Sequence, residues 1–236
     1  MEVKRLNKQN EEVIVEAWGD FACFAMPEAK VERLTYSFPT PSAARGILSA
    51  IYSKRTEFYW QVNRIEVLRP IRYISFKRNE VKSKASGKSW IFTDEERTQR
   101  QTVALQDVRY RIAASIVPRP AFEGRERQFY EQARRRIRHG KAFHQPAFGL
   151  REFVAYFEEP SDMPPIGDSL DAGLMVYDIF DFPRDMEVKK KTTPRLALFH
   201  AEMNNGVIQI PPYDSPLVFK ASAPVSDAVL KGGALC

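Results

Sequence analysis

Residues 40–52, with the sequence Thr-Pro-Ser-Ala-Ala-Arg-Gly-Ile-Leu-Ser-Ala-Ile-Tyr, predict the first helix of the chain and the order of the elements around it. Thr40 can accept a hydrogen bond from a backbone N–H at the helix start, and Pro41 suits the first helical position, where no N–H is needed. Apolar residues then recur at helical spacing and give the helix a core face, namely Ala44, Ile47, Leu48 and Ile51. The helix is predicted to end near Tyr52.

Extended segments flank this helix and alternate with a second one. Residues 12–18 carry apolar residues on both faces, which is typical of a strand buried in a sheet. Three further segments share a strand pattern rich in β-branched and aromatic residues: 60–74, 103–117 and 153–157. The second helix is predicted over 125–139, because Gly140 can adopt the left-handed conformation that commonly follows a helix.

The order of these segments predicts an α+β fold. It reads β-α-β, insertion, β-α-β, which is the order of a ferredoxin-like, RRM-like domain, and we assign that domain to residues 1–160. The insertion, about 75–104, is rich in Lys and Arg and has a turn sequence at 86–88, so it is predicted to be a basic β-hairpin or a mobile loop. Short strand patterns beyond Pro160 predict a small β-rich C-terminal subdomain over 161–225, followed by a disordered tail at 226–236.

Composition and charge narrow the class of protein. A net charge of +6 and a pI near 9.3 favour a polyanionic partner, although only weakly, since many basic proteins bind no polyanion. No apolar run reaches the roughly 18 residues that cross a bilayer, and the first residues do not resemble a signal peptide. Cys23 and Cys236 provide neither a disulfide framework nor a metal-ligand spacing. We therefore expect a cytoplasmic protein without membrane contact, in which Cys23 is a small core residue.

The second helix carries the clearest sign of an anionic ligand. Its core face, Tyr130, Ala133 and Ile137, lies beside a stripe of arginines formed by Arg127, Arg134 and Arg138. Four of residues 134–138 are arginine, and such like charges repel one another unless an anion approaches. Arginine forks match phosphate oxygens, so we predict phosphate contacts from this stripe and from Lys141 after the helix. A merely solvated basic face is the alternative.

The insertion supports the same interpretation. Lys77 and Arg78 provide cations there, and Trp90 and Phe92 near its turn offer rings on which bases can stack. We predict that Lys77 and Arg78 contact a nucleic-acid backbone. A surface loop without a ligand is the open alternative.

Catalytic motifs are few. P-loop, Gly-x-Gly-x-x-Gly and Gly-x-Ser-x-Gly patterns are absent, and the three histidines, His139, His144 and His200, have no metal-ligand spacing, so no cofactor or metal is expected. His200 fits a strand position in the core. Metal-free RNA cleavage needs only a base, an acid and cations near the phosphorus. Tyr52 is followed by cations that would lower its pKa, and His139 is a second catalytic candidate. Core packing for Tyr52 and a helix-dipole contact for His139 stay open.

Eight segments closely resemble the CRISPR-associated Cas-five family, in its Dvulg-type branch of subtype I-C: 17–22 (AWGDFA), 32–36 (ERLTY), 40–48 (TPSAARGIL), 50–52 (AIY), 67–71 (VLRPI), 78–81 (RNEV), 148–153 (FGLREF) and 205–208 (NGVI). The resemblance implies an RRM-like protein that cleaves the CRISPR repeat transcript without metal. It also implies that the protein stays on the 5′ handle of the guide RNA beside the other subunits of the surveillance complex. Arg33 and Arg45 lie in matching segments and are expected to bind RNA. Contact with double-stranded DNA is left open.

The family's proposed catalytic set is matched only in part. A tyrosine from the first helix corresponds to Tyr52, whereas the Lys-His pair of the second helix falls at Gln128 and Phe129, which cannot exchange protons near neutral pH. Three explanations remain. First, the missing pair is replaced by Arg125, Arg127 or His139. Second, cleavage relies on Tyr52 and the arginines alone, at a rate about 10²–10⁴-fold lower. Third, the chain is a non-catalytic subunit that caps the handle. A generic RRM-like RNA binder and a metal nuclease are more distant alternatives.

Overall fold

The computed structural model describes residues 11–29, 32–82, 90, 92–94, 96–179 and 196–221. The predicted α+β class is confirmed, since these residues form a mostly antiparallel sheet and two α-helices. The elements are β1 (Val13–Ala22), α1 (Pro41–Ile51), β2 (Phe58–Val67), β3 (Tyr73–Val81), β4 (Arg97–Pro118), α2 (Glu126–Arg138), β5 (Tyr156–Glu158), β6 (Leu170–Asp178), β7 (Ala197–Asn204), β8 (Val207–Gln209) and β9 (Val218–Lys220), with a 3-10 turn at Pro120–Phe122.

The strands form one sheet in the order β5-β1-β4-β2-β8-β7-β6, with β9 beside β7. The second half of β4 lies between β1 and β2, while residues 97–104 of its first half pair with β3 alone among the named strands. Strands from both sides of residue 160 therefore belong to the same sheet. The division into subdomains at that residue stays a prediction.

Both helices lie within a residue of their predicted bounds, and local signals mark the start of α1 and the end of α2. At α1, Thr40 Oγ1 accepts a hydrogen bond from the backbone N–H of Ala43 at 3.1 Å, and Tyr52 is the residue that ends the helix. After α2, Gly140 has a φ of +59°, the left-handed value expected there. These ends are set by local chemistry, which explains why the sequence predicts them well.

Both helices pack on the sheet and against each other. The α1 helix contacts β2 and β6, and α2 contacts β1 and β4. The core beneath them consists of fully or almost fully buried side chains, among them Val13, Val15, Ala17, Ile47, Ile51, Ile65, Ile112 and Phe129. Burial of one such Val, Ile or Phe side chain contributes roughly 1.5–3 kcal/mol. Arg136 of α2 donates to the carbonyl oxygen of Ile51, so the end of α1 lies against α2.

The other side of β1 carries buried charge. Side chains alternate along a strand, so Glu16 points away from Val15 and Ala17, and it is fully buried. Its carboxylate accepts hydrogen bonds from Arg109 and Ser161 and contacts Arg111 at 3.4 Å. Arg111 also donates to Glu66 at 2.6 Å. We call Glu16, Glu66, Arg109, Arg111 and Ser161 the Glu16 cluster.

The insertion contains an antiparallel pairing of β3 with the first half of β4, from Tyr73 opposite Leu105 to Val81 opposite Arg97. The predicted strand over 60–74 is in fact two strands, β2 and β3. Pro70 lies between them and has no N–H to donate, which favours the break. Trp90 is 93% exposed. The predicted turn at 86–88 and the predicted tail at 226–236 lie outside the described residues.

Two further predictions concern the burial of Cys23 and the absence of a membrane-spanning segment. Cys23 is buried as predicted, and burial raises the pKa of its thiol to about 11. Among the described residues, neither helix has the length and apolar character needed to cross a membrane.

Candidate active site

A cleft of about 290 Å³ lies where the end of α1 meets α2. Tyr52 comes from the end of α1, Lys54 from the loop that follows, and Phe143 from the segment after α2. One face of α2 and the residue before it supply the other lining residues: Arg125, Gln128, Phe129, Gln132 and Arg136. Their spacing of three or four residues places them on the same side of the helix. We call this site the Tyr52 cleft.

Tyr52 is held by aromatic neighbours. Its ring lies 5.3 Å from that of Phe58 and stacks on Phe143 at 6.5 Å. Burial raises the pKa of its hydroxyl, and the Glu57 carboxylate raises it further, while Arg136 and Arg125 oppose the shift. The prediction that nearby cations lower this pKa is therefore wrong, because desolvation outweighs them. Tyr52 stays protonated near neutral pH and can donate a hydrogen bond.

Arg136 connects the two helices across the cleft. Its Nη1 donates to the carbonyl oxygen of Ile51 at 3.3 Å, and its guanidinium lies 4.1 Å from the centre of the Phe143 ring and 5.7 Å from that of Tyr52. Its Nε is buried and has no hydrogen-bond partner in the described part of the chain. An anion entering the cleft would meet a cation whose hydrogen-bonding capacity is not fully used.

Two of the cations that line the cleft, Lys54 and Arg125, contact the Glu57 carboxylate beside it. Lys54 Nζ contacts both carboxylate oxygens of Glu57, at 2.9 and 3.1 Å, and Arg125 Nη1 lies 3.9 Å from the same carboxylate. Three cations, Lys54, Arg125 and Arg136, line the cleft, while Glu57 beside it pairs with Lys54 and Arg125 only. The excess of positive charge suits an anionic ligand.

The two residues that replace the family's Lys-His pair have structural roles here. Phe129 is 2% exposed, and its ring packs 5.0 Å from that of Phe58. Lys54 Nζ and the Arg125 guanidinium lie 5.9 and 5.7 Å from the centre of the Phe129 ring. Gln128 accepts a hydrogen bond from Arg125 Nε at 3.2 Å. Cations from neighbouring segments therefore surround the position where a histidine was expected.

The histidines lie elsewhere. His139 is exposed at the end of α2, where its Nδ1 is 2.7 Å from the carbonyl oxygen of Arg135, and neither it nor His144 lines the cleft.

The prediction that His200 lies in the core is wrong. Its side chain is half exposed on β7, with Nε2 2.8 Å from Asp171 Oδ1. Asp171, His200 and Glu202 bring their ligand atoms within 4.8 Å of one another, so this exposed trio could hold a metal ion, a grouping that sequence spacing did not reveal.

None of the predicted RNA-binding cations lines the Tyr52 cleft. The three arginines of the α2 stripe each contact a carboxylate of this chain: Arg127 with Glu131 at 2.7 Å, Arg134 with Glu11 at 2.7 Å and Arg138 with Glu159 at 3.2 Å. The repulsion inferred from sequence is thus relieved internally. These ion pairs are exposed, and exposed pairs are weak, about 0–1 kcal/mol. Their role in RNA binding stays a prediction.

The remaining cations divide between paired and exposed positions. Arg33 contacts Glu80 and Glu152, Arg78 contacts Glu152, and Arg45 contacts Asp178 at 2.9 Å. Lys77 and Lys141 are exposed. The structure therefore distributes the predicted cations over the segment between β1 and α1, α1, the β3–β4 hairpin, α2 and the residues after it, rather than placing them at one point.

Sequence reasoning missed several residues of the cleft. Gln132, Arg136 and Phe143 were not singled out as site residues, and Lys54 was noted only as a neighbour of Tyr52. A partial signal existed, since Arg125, Phe129, Gln132 and Arg136 repeat at helical spacing. Their convergence with the end of α1 is a tertiary property.

Comparisons with known proteins agree with the resemblance. The family model described as CRISPR-associated protein (Cas_Cas5) matches residues 13–211. A relative from Thermus thermophilus, named CRISPR pre-crRNA endoribonuclease Cas5d, is 39% identical over 84% of this chain and 90% of its own length. A relative of the same name from Mannheimia succiniciproducens is 40% identical over 83% of this chain and 93% of its own.

A solved structure also matches. A CRISPR-associated protein of known crystal structure is 22% identical, with a TM-score of 0.63, and the match covers 89% of this chain and 97% of that one, which shows a shared fold. The family model spans more than half of the chain, and two relatives exceed the identity at which family membership is secure. The chain belongs to the CRISPR-associated Cas5 family.

Proposed function

We propose that this chain is a metal-independent endoribonuclease that cleaves the repeat of a CRISPR precursor RNA and stays bound to the 5′ handle of the product. The observation that carries the proposal is the Tyr52 cleft, a cationic and aromatic pocket at the end of α1. The two relatives at 39% and 40% identity are named for this activity.

The cleft suits the chemistry of RNA cleavage by the substrate's own 2′-hydroxyl. Attack on phosphorus produces a phosphorane whose oxygens carry added negative charge, and cations or hydrogen-bond donors held in place stabilise it. Arg136 offers a guanidinium that lines the cleft and contacts no carboxylate among the described residues, and Tyr52 offers a phenol that stays protonated. A guanidinium held against the Phe143 ring, 4.1 Å away, has little freedom to lose on binding.

RNA outside the cleft is proposed to follow the predicted cations. Arg127, Arg134, Arg138 and Lys141 would contact the backbone along α2, and Arg33, Arg45, Lys77 and Arg78 would contact it elsewhere on the protein. Phosphate can replace an exposed carboxylate as the partner of an arginine, because the original ion pair contributes so little. His139 is kept as a tentative catalytic candidate only through its position at the end of α2.

We further infer a ferredoxin-like, RRM-like architecture for residues 1–160, with the β3–β4 hairpin inserted and a β-rich subdomain over 161–225. The β-α-β, β-α-β order and the central position of β1 and β4 support it. The family role supports a place in the cytoplasm, within a subtype I-C surveillance complex and beside its other subunits. Contact of that complex with double-stranded DNA would extend this role.

Incubation of the purified protein with its cognate repeat RNA in EDTA tests the activity. We expect cleavage at one position, leaving a 5′-hydroxyl, and a loss of about 10²–10³-fold in rate for Tyr52→Phe, since one donor to the phosphorane is removed. Tyr156→Phe is the matched control, because Tyr156 is 54% exposed on β5 and lies outside the cleft. Cleavage that requires a divalent metal would contradict the proposal.

A second candidate is a non-catalytic subunit that caps the handle while another protein cuts. It is favoured by one observation, that Gln128 and Phe129 cannot exchange protons where the family's Lys-His pair falls. Intact repeat RNA after prolonged incubation, together with tight binding of that RNA, would select this candidate.

A further inference from the structure

Lys54, which lines the Tyr52 cleft, forms a hydrogen-bonded ion pair with Glu57 beside it. The ammonium lies 2.9 Å from Oε1 and 3.1 Å from Oε2 of the carboxylate, and the two side chains are 41% and 19% exposed. Lys54 lines the cleft, and Glu57, which does not, contacts the two lining cations Lys54 and Arg125. Since such an i,i+3 pair contributes little to stability, separating the two groups around a ligand costs little free energy.

The backbone holds this pair in a fixed turn. The N–H groups of Glu57 and Phe58 both donate to the carbonyl oxygen of Lys54, at 2.8 and 3.0 Å, and the N–H of Arg119 donates to the carbonyl oxygen of Glu57 at 2.7 Å. The turn leads directly into β2, which is part of the central sheet. A functional group needs such support from rigid elements to stay in a productive position.

Proton exchange narrows the choice of groups further. Of the residues that line the cleft, Arg125 and Arg136 keep their protons, and Gln128, Phe129, Gln132 and Phe143 have none to exchange. Tyr52 stays protonated, so it does not serve as a base. Within the described residues, Lys54 and the Glu57 carboxylate beside it are left as a proton donor and a proton acceptor.

We propose that Glu57 is the general base and Lys54 the general acid of RNA cleavage in this chain, an inference that rests on the proposed nuclease function. A Glu57 carboxylate oxygen takes the proton of the 2′-hydroxyl while the 2′-oxygen bonds to phosphorus. The bond from phosphorus to the 5′-oxygen then breaks, and that oxygen takes a proton from Lys54 Nζ. The products are a 2′,3′-cyclic phosphate and a 5′-hydroxyl.

The contact between the two side chains completes the cycle. After cleavage Glu57 is a carboxylic acid and Lys54 a neutral amine, and transfer of one proton between them restores the starting pair. The attacking and leaving oxygens lie on opposite sides of phosphorus, so the pair separates around the phosphate. The flexible stem of Lys54 permits this movement, while Arg125, 3.9 Å from Glu57, remains beside the carboxylate.

The test uses RNA in which sulfur replaces the bridging 5′-oxygen at the cleavage position, since a thiolate leaves without a proton. On ordinary RNA in EDTA, we expect Lys54→Met to be about 10²–10⁴-fold slower than the native protein. On the sulfur-containing RNA, that deficit should largely disappear. Lys54→Arg should also be slow on ordinary RNA, because a guanidinium keeps its proton.

Glu57→Gln should be slow on both RNAs by a similar factor, since sulfur substitution does not replace a base. Arg55→Met is the matched control, an exposed cation in the same loop that does not line the cleft. RNA affinity and thermal unfolding, measured for every variant, identify loss of binding or folding.

Three outcomes overturn the inference: Lys54→Met at the native rate, Lys54→Met equally slow on both RNAs, or Glu57→Gln at the native rate. The cleavage rate of the native protein shows whether the inference fails alone or together with the nuclease function on which it rests. If the native protein cuts and any of the three outcomes is found, the inference alone fails. If the native protein does not cut, the proposed nuclease function fails and the inference falls with it.

Discussion

The Glu16 cluster and the Tyr52 cleft both gather cations, but they differ in how the charges are balanced. In the Glu16 cluster, Arg111 lies opposite Glu16 on one neighbouring strand and opposite Glu66 on the other, and Arg109 contacts Glu16 as well. At the cleft, Glu57 contacts Lys54 and Arg125, whereas Arg136 contacts no carboxylate among the described residues.

This difference in charge balance distinguishes structural arginines from arginines that can bind a ligand. The partly buried arginines of the Glu16 cluster are neutralised by carboxylates of this chain, and the buried Glu16 has the charged partners that a buried carboxylate requires. The cations of the cleft are only partly neutralised and lie against aromatic rings, so an anion can still be bound there. Charge balance and burial, rather than the number of arginines, separate the two regions.

The largest effect is expected from breaking the Glu16 cluster. Glu16→Ala leaves Arg109 and Arg111 without their shared buried carboxylate, and we expect the free energy of unfolding to fall by about 3–5 kcal/mol. Urea denaturation at pH 7 measures it. Glu131→Ala, which removes an exposed pair on α2, should cost no more than about 0.5 kcal/mol. If Glu16→Ala and Glu131→Ala have the same free energy of unfolding, the Glu16 cluster contributes no more to stability than an exposed ion pair.

The next effect concerns the cleft. Arg136→Met keeps much of the apolar stem but removes the guanidinium, and we expect RNA cleavage to slow about 10²-fold as stabilisation of the phosphorane is lost. Single-turnover rates with repeat RNA measure this. Lys220→Met is the control, because Lys220 lies 4.1 Å over the Tyr213 ring in a similar stacking geometry outside the cleft. If Arg136→Met and Lys220→Met cleave RNA at equal rates, the stacked cation of the cleft has no special role in cleavage.

A smaller effect is expected from the exposed stripe of α2. Arg134→Ala combined with Arg138→Ala should weaken handle binding about tenfold and reduce the slope of log K against log salt by about two, one for each phosphate contact. Binding titrations at several salt concentrations measure both. The double variant Arg69→Ala, Lys220→Ala controls for loss of charge elsewhere. An unchanged slope would leave the stripe as a solvated face.

The smallest effect is a change in acid stability. Burial alone would raise the pKa of Glu16, but hydrogen bonds from Ser161 and Arg109 hold the pKa below its ordinary value of 4.5. The stabilisation from ionised Glu16 is therefore complete above about pH 4.5 and is lost as the pH falls through the lower folded-state value. Glu16→Gln should flatten that part of the curve of unfolding free energy against pH. An acid limb identical to that of the native protein would show that Glu16 does not contribute to it.

Local signals predicted the helices of this protein well. The caps at Thr40 and Gly140 depend on backbone groups within a few residues, so sequence alone contains the information. Strand limits were harder, because pairing decides them. The β4 strand extends well before the predicted start at Val103, since its first half pairs with β3, at the start of the predicted insertion.

The candidate site was predicted only in part. Tyr52 was singled out from the cations that follow it and matched by the family resemblance, but the direction of its pKa shift was predicted wrongly, because sequence shows the nearby cations and not the burial that outweighs them. His200 was assigned to the core for a related reason: the strand pattern predicted alternation but not which face is covered. Phe143 and Arg136 come together only when the segment after α2 folds back on α1.

The sequence by itself determined the ends of both helices, the arginine-rich composition of α2 and the family to which the chain belongs. These follow from hydrogen bonding, helical spacing and residue identity over short distances along the chain. Tertiary structure alone decided which cations are neutralised. Arg134 meets Glu11, 123 residues away, Arg111 meets Glu16, 95 residues away, and Arg136 meets no carboxylate among the residues described. Charge pairing depends on distance in space and on burial, and only the folded chain sets both.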